Sequence, residues 1–276
     1  MGQGWETNGG QPVDVDISHL VPAARPIASR AAALYLAHTA PWFVGLLAHG
    51  SAYKGGYIAG CSDIDFQLYL DPAAFTAEGT LPLDLLTAIH RDVAQVDPAP
   101  FRYIQCYALP CATPSGQVPP IPGAYTLLAG RLPLAEATSA QLIASARTAL
   151  ARLEPLTRSL ASELLSYGGG RLRHKTRLLC TEVWPTLYHI AALQTGDPIA
   201  VWNLPKPDVI ALLPAESATG SAIRAFYAAV VAYYPAEASL EAMLAVITRG
   251  VDFLREAQTW WSDNRPLFDV EDRREK

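Results

Sequence analysis

Two aspartates separated by one residue, Asp63 and Asp65, are the residues of this chain best suited to metal chemistry. They open the segment DIDFQLYLD, in which polar and apolar residues alternate as in a strand with one polar and one buried face. Side chains two apart on a strand point the same way, so these carboxylates repel each other unless a cation lies between them. Mg²⁺ is commonly held by one or two carboxylates together with phosphate oxygens. The pair therefore predicts a magnesium site.

A glycine and a serine precede the aspartates. Gly50 and Ser51 end the apolar run WFVGLLAHGS, which indicates a buried strand that leads into a tight turn. Gly50 has no Cβ, so the backbone can approach a ligand closely there. Ser51 offers a hydroxyl and a backbone N–H to a phosphate. Eleven residues separate Ser51 from Asp63, and the combination predicts a site for a polyphosphate and its metal.

This combination resembles the signature of the DNA polymerase β-like nucleotidyltransferase superfamily. In that signature a Gly-Ser or Gly-Gly pair, a loop and an Asp-x-Asp on the next strand follow one another, and here they stand as LLAHGSAYKGGYIAGCSDIDFQLYL. The resemblance implies that Gly50 and Ser51 bind the nucleotide. It also implies that Asp63 and Asp65 bind Mg²⁺ and are catalytic. The expected reaction transfers a nucleotide, AMP from ATP, to a hydroxyl of a small-molecule acceptor and releases pyrophosphate.

The C-terminal half is similar to the aminoglycoside nucleotidyltransferases, particularly the streptomycin/spectinomycin adenylyltransferases. In that group a helix ends with Thr-Gly and is followed by Pro-Lys and later by Leu-Pro; this chain has IAALQTGDPIAVWNLPKPDVIALLP. The resemblance implies that Lys206 reaches the triphosphate from a second domain, with an ordinary solvated loop lysine as the alternative. It also suggests an aminoglycoside-like acceptor.

A basic cluster, RLRHKTR at 171–177, stands out in an acidic chain. It supplies either a second phosphate contact or a solvated helix start. Lys175 and Arg177 are the candidates for nucleotide binding, and their spacing does not rank them.

The pattern departs from the superfamily at one place. Active members usually bring a third carboxylate from a later strand, but the strand expected to supply it, FRYIQCYAL, contains no Asp or Glu. Gln105 sits centrally there, and an amide cannot take a proton. Three alternatives follow: a weak enzyme, a base from the helical half with Glu163 and Glu182 as candidates, or a degenerate protein that binds nucleotide or a partner without transfer.

The elements that must position these residues fall into two regions. Helical and strand patterns alternate before residue 135, whereas amphipathic helical patterns dominate afterwards. We predict an α+β fold: a nucleotidyltransferase domain over 1–135, with a mixed sheet and flanking helices, and an all-helical bundle over 136–276. Helices are predicted at 22–39, 81–96, 139–167, 171–195, 217–234 and 237–262, strands at 42–49, 63–71 and 101–109, a loop at 111–123, and a strand or turn at 124–130.

The overall charge bears on partners and location. Lys and Arg total 21 against 26 Asp and Glu, a net charge of -5, which argues against nucleic acid as a partner because phosphate backbones need a basic face. The segment MGQGWETNGG has no basic stretch leading into an apolar run, so no secretory signal is expected. No apolar stretch is long enough for a membrane span. The four cysteines form no CxxC pair, and a cytoplasmic protein is expected.

Overall fold

The computed structural model describes residues 5–6, 12–111, 118–153, 166 and 168–274. The chain divides into two compact units, Met1–Ala137 and Thr138–Lys276; the boundary predicted from the sequence lies between residues 135 and 136. The described strands all belong to the first unit, and the described elements of the second unit are helices. The protein is therefore α+β, with a mixed four-stranded sheet and a C-terminal helical region.

The first unit is built around this sheet. Its elements are β1 Trp5–Glu6, β2 Pro12–Val13, α1 Arg25–Thr39, β3 Phe43–His49, α2 Ser51–Lys54, β4 Ile64–Leu70, α3 Leu83–Val93, β5 Ile104–Pro110 and β6 Tyr125–Gly130. Strands β1 and β2 pair with each other. The other strands form the sheet in the order β5-β4-β3-β6, in which β4 and β5 are parallel and the remaining pairs are antiparallel.

One face of the sheet packs against α1 and forms the core of the first unit. Ile64 and Phe66 of β4 are fully buried on this face. The Phe66 ring meets the ring of Tyr35 from α1 edge to face, with the ring centroids 5.7 Å apart. Because side chains alternate along a strand, Asp65 and Gln67 project from the opposite face.

The observed elements of the first unit differ from the predicted ones mainly at their ends. Strand β4 begins at Ile64, so Asp63 lies just before the strand and not on it. Strand β5 begins at Ile104 and not at residue 101. The segment before it turns towards the loop that precedes β4, where the Arg102 N–H donates to the Ser62 carbonyl over 2.7 Å. The segment AYTLLAG contains β6. Part of the predicted loop, residues 112–117, lies outside the described residues.

The second unit is arranged around one long helix. Its described helices are α4 Ser139–Leu150, α5 Gly169–Thr195, α6 Pro198–Asn203, α7 Lys206–Leu212, α8 Ala218–Tyr233 and α9 Leu240–Arg274. Helix α5 contacts α4, α6, α7 and α9. The predicted helix at 139–167 is described as far as residue 153 and α4 ends at Leu150; residues 154–165 lie outside the described part. Among the helices in the described ranges, none is long and apolar enough to cross a bilayer.

Two short helices, α6 and α7, lie between α5 and α8, in a segment for which the sequence analysis predicted no element. Helix α6 begins after Asp197, whose side chain accepts a hydrogen bond from the Ala200 N–H over 3.0 Å, and Pro198 occupies its first position. Proline at the first helical position is favourable because its missing N–H would have no partner within the helix. Helix α9 extends to Arg274, past the predicted end at residue 262.

Candidate active site

A row of four residues crosses the sheet on the face opposite α1. Asp65 of β4 is paired with His49 of β3 and with Gln105 of β5, and His49 is paired in turn with Tyr125 of β6. Residues directly opposite each other in neighbouring strands project from the same face. We call Gln105, Asp65, His49 and Tyr125 the polar row. Asp65 therefore has an amide on one side and an imidazole on the other.

Strand β3 ends in a bend at Gly50 that lies against Asp65. Gly50 has φ +68° and ψ -150°, a backbone conformation that is essentially restricted to glycine. A Cβ at this position would lie 2.7 Å from Oδ2 of Asp65. Ser51 follows as the buried first residue of the short helix α2. Glycine is therefore required here by its backbone conformation and by the Asp65 carboxylate, which occupies the space a side chain would need.

Asp63 lies at the end of a loop that is held closed by Ser62. The Ser62 hydroxyl accepts a hydrogen bond from the Ile58 N–H over 2.9 Å, and the Ser62 N–H donates to the Ile58 carbonyl over 2.8 Å. Asp63 acts electrostatically on the His49 imidazole. Since Asp65 touches the bend that follows His49, both aspartates lie near the same end of β3. The closed loop accounts for the position of Asp63, which strand alternation alone does not.

His49 is a neutral base within the polar row. Its Nε2 is buried and has no hydrogen-bond partner in the described part of the chain. Burial lowers the pKa of His49 to about 4; the charge of Lys54 on α2 also lowers it, and Asp63 acts in the opposite direction. Lys54, which was absent from the predicted site, therefore lies within electrostatic reach of this end of β3. Lys54 lies one helical turn after Gly50, and this spacing could have indicated from the sequence that it belongs to the site.

Two hydrogen bonds join neighbouring side chains on this face, and one of them involves the polar row. The Gln105 amide donates from Nε2 to Oη of Tyr107. On β4, Tyr69 Oη donates to Gln67 Oε1 over 2.7 Å. The first bond shows that the strand position next to Asp65 holds an amide that acts as a hydrogen-bond donor.

Tyr125, at the other end of the row, is bonded to a carboxylate. Its Oη donates to Oε1 of Glu136 over 2.8 Å. Burial raises the pKa of Tyr125 to about 12, and the hydrogen bond and charge of Glu136 act in the same direction. Sequence reasoning sought a third carboxylate on β5 and in the helical half of the chain, and did not consider Glu136.

The other predicted site residues belong to the second unit. Lys206 is the first residue of α7, and its Nζ lies 5.8 Å from the centre of the Trp184 ring, within the range of a cation–π interaction. On α5, Lys175 is partly buried and Arg177 is buried. The contacts of these three residues with a triphosphate stay predictions. Of the candidate bases, Glu182 is exposed on α5, and Glu163 lies outside the described residues.

A scan against protein-family models matched none, and a search of the curated proteins found no match either. The function is therefore argued from this chain's own residues. What they form is an α+β protein with an acidic pair beside a glycine bend at the end of a strand.

Proposed function

We propose that this protein is a magnesium-dependent nucleotidyltransferase. It transfers a nucleotide, AMP from ATP, to a hydroxyl of a small molecule and releases pyrophosphate. The observation that carries the proposal is the contact between the Gly50 bend and the Asp65 carboxylate, with Asp63 near the same end of β3. A polyphosphate bound at this bend lies next to both carboxylates.

The two aspartates suit Mg²⁺ as a bound ion. Carboxylate oxygens are the ligands that Mg²⁺ prefers, and it is usually bound through one or two of them together with substrate phosphates and water. No cluster of three or more His, Cys, Asp or Glu side chains with metal-binding geometry occurs among the described residues. Asp63 and Asp65 would hold the ion, and the remaining ligands would be phosphate oxygens and water. When bound, Mg²⁺ would stabilise the charge that develops on the departing pyrophosphate.

The residues of the bend bind and orient the nucleotide. Ser51 presents the first N–H of α2, and the first amides of a helix have no partner within it. Lys54 on the same helix adds a positive charge, which suits phosphate. The acceptor oxygen then attacks the α-phosphorus in line, the bond to the bridging oxygen breaks, and pyrophosphate leaves. Positioning and charge stabilisation supply most of the catalysis in such phosphoryl-type transfers.

The proposed acceptor is a small polyhydroxylated cation of the aminoglycoside type. The net charge of -5 suits a cationic acceptor, and the resemblance in the helical half supports the same class. Because one fold hosts many substrates, pyrophosphate release measured with a series of acceptors identifies the acceptor.

A second candidate function is nucleotide binding without transfer. The observation that favours it is the residue next to Asp65 on β5, which is Gln105. The Gln105 amide cannot take up the proton of the acceptor hydroxyl. A protein that relied on this position for its general base would bind Mg·ATP without transferring the nucleotide.

Replacing each aspartate with asparagine tests the proposal. Asp63→Asn and Asp65→Asn keep side-chain size but remove the charge that holds Mg²⁺, so each should abolish Mg·ATP binding by calorimetry and pyrophosphate release with spectinomycin as the acceptor. Asp71→Asn is the matched control. Asp71 follows the other end of β4, where its carboxylate accepts a hydrogen bond from the Ala73 N–H over 2.8 Å, so its loss should leave binding and turnover intact.

The outcomes separate the two functions. If the Asp63→Asn or Asp65→Asn protein keeps wild-type binding and turnover, the magnesium site is wrong. Should the wild-type protein bind Mg·ATP but release no pyrophosphate with spectinomycin, streptomycin or water, the second function is favoured. Turnover by the wild type together with loss in both aspartate variants supports transfer.

A further inference from the structure

The polar row is bonded to a carboxylate on its β6 side. Tyr125 stands two strands away from Asp65, about 10 Å across the sheet at the usual strand spacing. Its pairing with His49 places it in the same row as Asp65, so its side chain projects from the same face of the sheet. The carboxylate bonded to it, Glu136, therefore lies beside the same polar face.

Four other carboxylates of the first unit are engaged elsewhere. Asp16 and Asp71 accept hydrogen bonds from backbone N–H groups in their own turns, and Asp97 does the same. Asp92 is bonded to His38 of α1 over 2.7 Å. Glu136, in contrast, hydrogen-bonds to a member of the polar row. Leaving aside Asp63 and Asp65, no other carboxylate in the described part of residues 14–137 is seen to do so.

We propose that Glu136 accepts the proton of the acceptor hydroxyl and that Tyr125 positions it. This inference rests on the proposed function. In the step, the acceptor oxygen forms a bond to the α-phosphorus, the bond from phosphorus to the bridging oxygen breaks, and pyrophosphate leaves with that electron pair. The hydroxyl proton moves to the Glu136 carboxylate. Glu136 thereby takes the role that Gln105 cannot perform.

Tyr125 holds the carboxylate through a bond to one oxygen. The Tyr125 hydroxyl donates to Oε1, which leaves Oε2 available for the substrate proton. Burial raises the pKa of Tyr125 to about 12, so the phenol keeps its proton at neutral pH and remains a donor. Glu136 is the catalytic residue in this arrangement, and Tyr125 is a positioning residue.

Three variants test the assignment in steady-state assays of pyrophosphate release with ATP, Mg²⁺ and spectinomycin. Glu136→Gln should lower kcat by about 10²–10⁴-fold, the usual contribution of a general base. The KM for ATP and the calorimetric affinity for Mg·ATP should stay within about threefold, because the aspartates and the Gly50 bend are unchanged. Glu136→Asp keeps a carboxylate and should recover part of kcat. Tyr125→Phe should lower kcat by about tenfold, the value of one hydrogen bond.

Glu78→Gln is the matched control, since Glu78 is an exposed carboxylate of the same unit and lies in the turn that precedes α3, outside the polar row. It should leave kcat unchanged.

If Glu136→Gln turns over at the wild-type rate while Asp65→Asn is inactive, the Glu136 assignment is overturned and the proposed function stands. If Glu136→Gln does not fold, Glu136→Asp and Tyr125→Phe decide: full kcat in both overturns the assignment, and graded losses with unchanged Mg·ATP affinity support it.

Failure of the proposed function has a different signature. A wild-type protein that does not bind Mg·ATP overturns both proposals together. If the wild-type protein binds Mg·ATP but releases no pyrophosphate, the function without transfer is favoured. The role proposed for Glu136 is then overturned as well, because there is no reaction for it to catalyse.

Discussion

The two faces of the four-stranded sheet carry different kinds of residue at the start of β4, although they share the same strand. Towards α1, the side chains of Ile64 and Phe66 are fully buried in the core of the first unit. On the other face, Asp65 and Gln67 are only partly buried. Burial of apolar area stabilises the fold, whereas a polar row contributes little to stability and is free to serve binding and chemistry. The buried face towards α1 therefore stabilises the pairing of the strands. That pairing aligns the residues of the polar row on the other face.

Aromatic truncation on each face is the change with the largest expected contrast. Phe66→Ala should lower the free energy of unfolding by about 3–5 kcal/mol, because it removes a fully buried ring. Tyr107→Ala removes a ring of similar size from β5, but Tyr107 is 52% exposed on the polar face, so it should cost about 1 kcal/mol. Urea unfolding of both variants measures the contrast. Equal losses would mean that the polar face carries as much of the stability as the core does.

Two glycines at the ends of α2 separate backbone strain from the contact with Asp65. Gly50 has φ +68° and ψ -150°, and Gly55 has φ +83° and ψ -170°, so alanine is strained at both positions by about 1–3 kcal/mol. A Cβ on Gly55 meets nothing within 4 Å, but one on Gly50 lies 2.7 Å from the Asp65 carboxylate.

Gly50→Ala should therefore destabilise the protein more than Gly55→Ala, as measured by urea unfolding. It should also weaken Mg·ATP binding by calorimetry, because the added methyl displaces the carboxylate. Equal losses of stability together with equal affinities would show that the bend does not position Asp65.

Local sequence patterns predicted the elements better than their mutual arrangement. The alternation in IDFQLYL is a property of consecutive residues, and β4 with its polar face was predictable for that reason. The start of β4 after Asp63 was missed, because the loop that holds this residue is closed by Ser62 and by backbone contacts of the segment before β5. The contact of Arg102 with Ser62 joins residues far apart in sequence, and neither this contact nor the Ser62–Ile58 bonds leave a periodic signal.

The same limit applies to the third carboxylate. Sequence reasoning placed it on β5, where the resemblance expects it, and turned to the helical half when Gln105 was found there. The register of β6 against β3 brings Tyr125 into the row with Asp65, and Glu136 reaches the row only through its bond to Tyr125. Strand pairing across more than sixty residues depends on the packed core, so a reading of motifs did not reveal this bond.

Loss of one buried hydroxyl tests how much the polar face contributes to stability. Tyr69→Phe removes the hydrogen bond to Gln67 and should cost about 0.5–1.5 kcal/mol at neutral pH. Burial raises the pKa of Tyr69 from 10.0 to about 12. Between these values the unfolded chain has lost its proton and the folded chain has kept it, so stability falls as the pH rises. Tyr69→Phe should flatten this alkaline decline in urea unfolding measured from pH 9 upwards, and an unchanged decline would contradict the assigned burial effect.

The smallest expected effect concerns the residue opposite Asp65. Gln105→Glu sets a second carboxylate directly across from Asp65 on β5, and like charges at such a position destabilise a sheet by about 0.2–1 kcal/mol. If Asp65 is a magnesium ligand, the added carboxylate lies beside the ion, so Mg²⁺ should reverse the loss. Thermal unfolding with and without Mg²⁺, at constant ionic strength, measures this reversal.

Gln67→Glu is the matched control for this change, because it adds the same charge to the same face two residues further along β4. Mg²⁺ should restore the stability of the Gln105→Glu protein more than that of the Gln67→Glu protein, since only the former charge stands opposite Asp65. Equal responses would show that Mg²⁺ screens the whole face and does not bind at Asp65.

The kcat of the Gln105→Glu protein sharpens the same comparison. If Glu136 already takes the proton, Gln105→Glu should raise kcat by less than about threefold. A protein that lacks a general base should gain about 10²-fold or more.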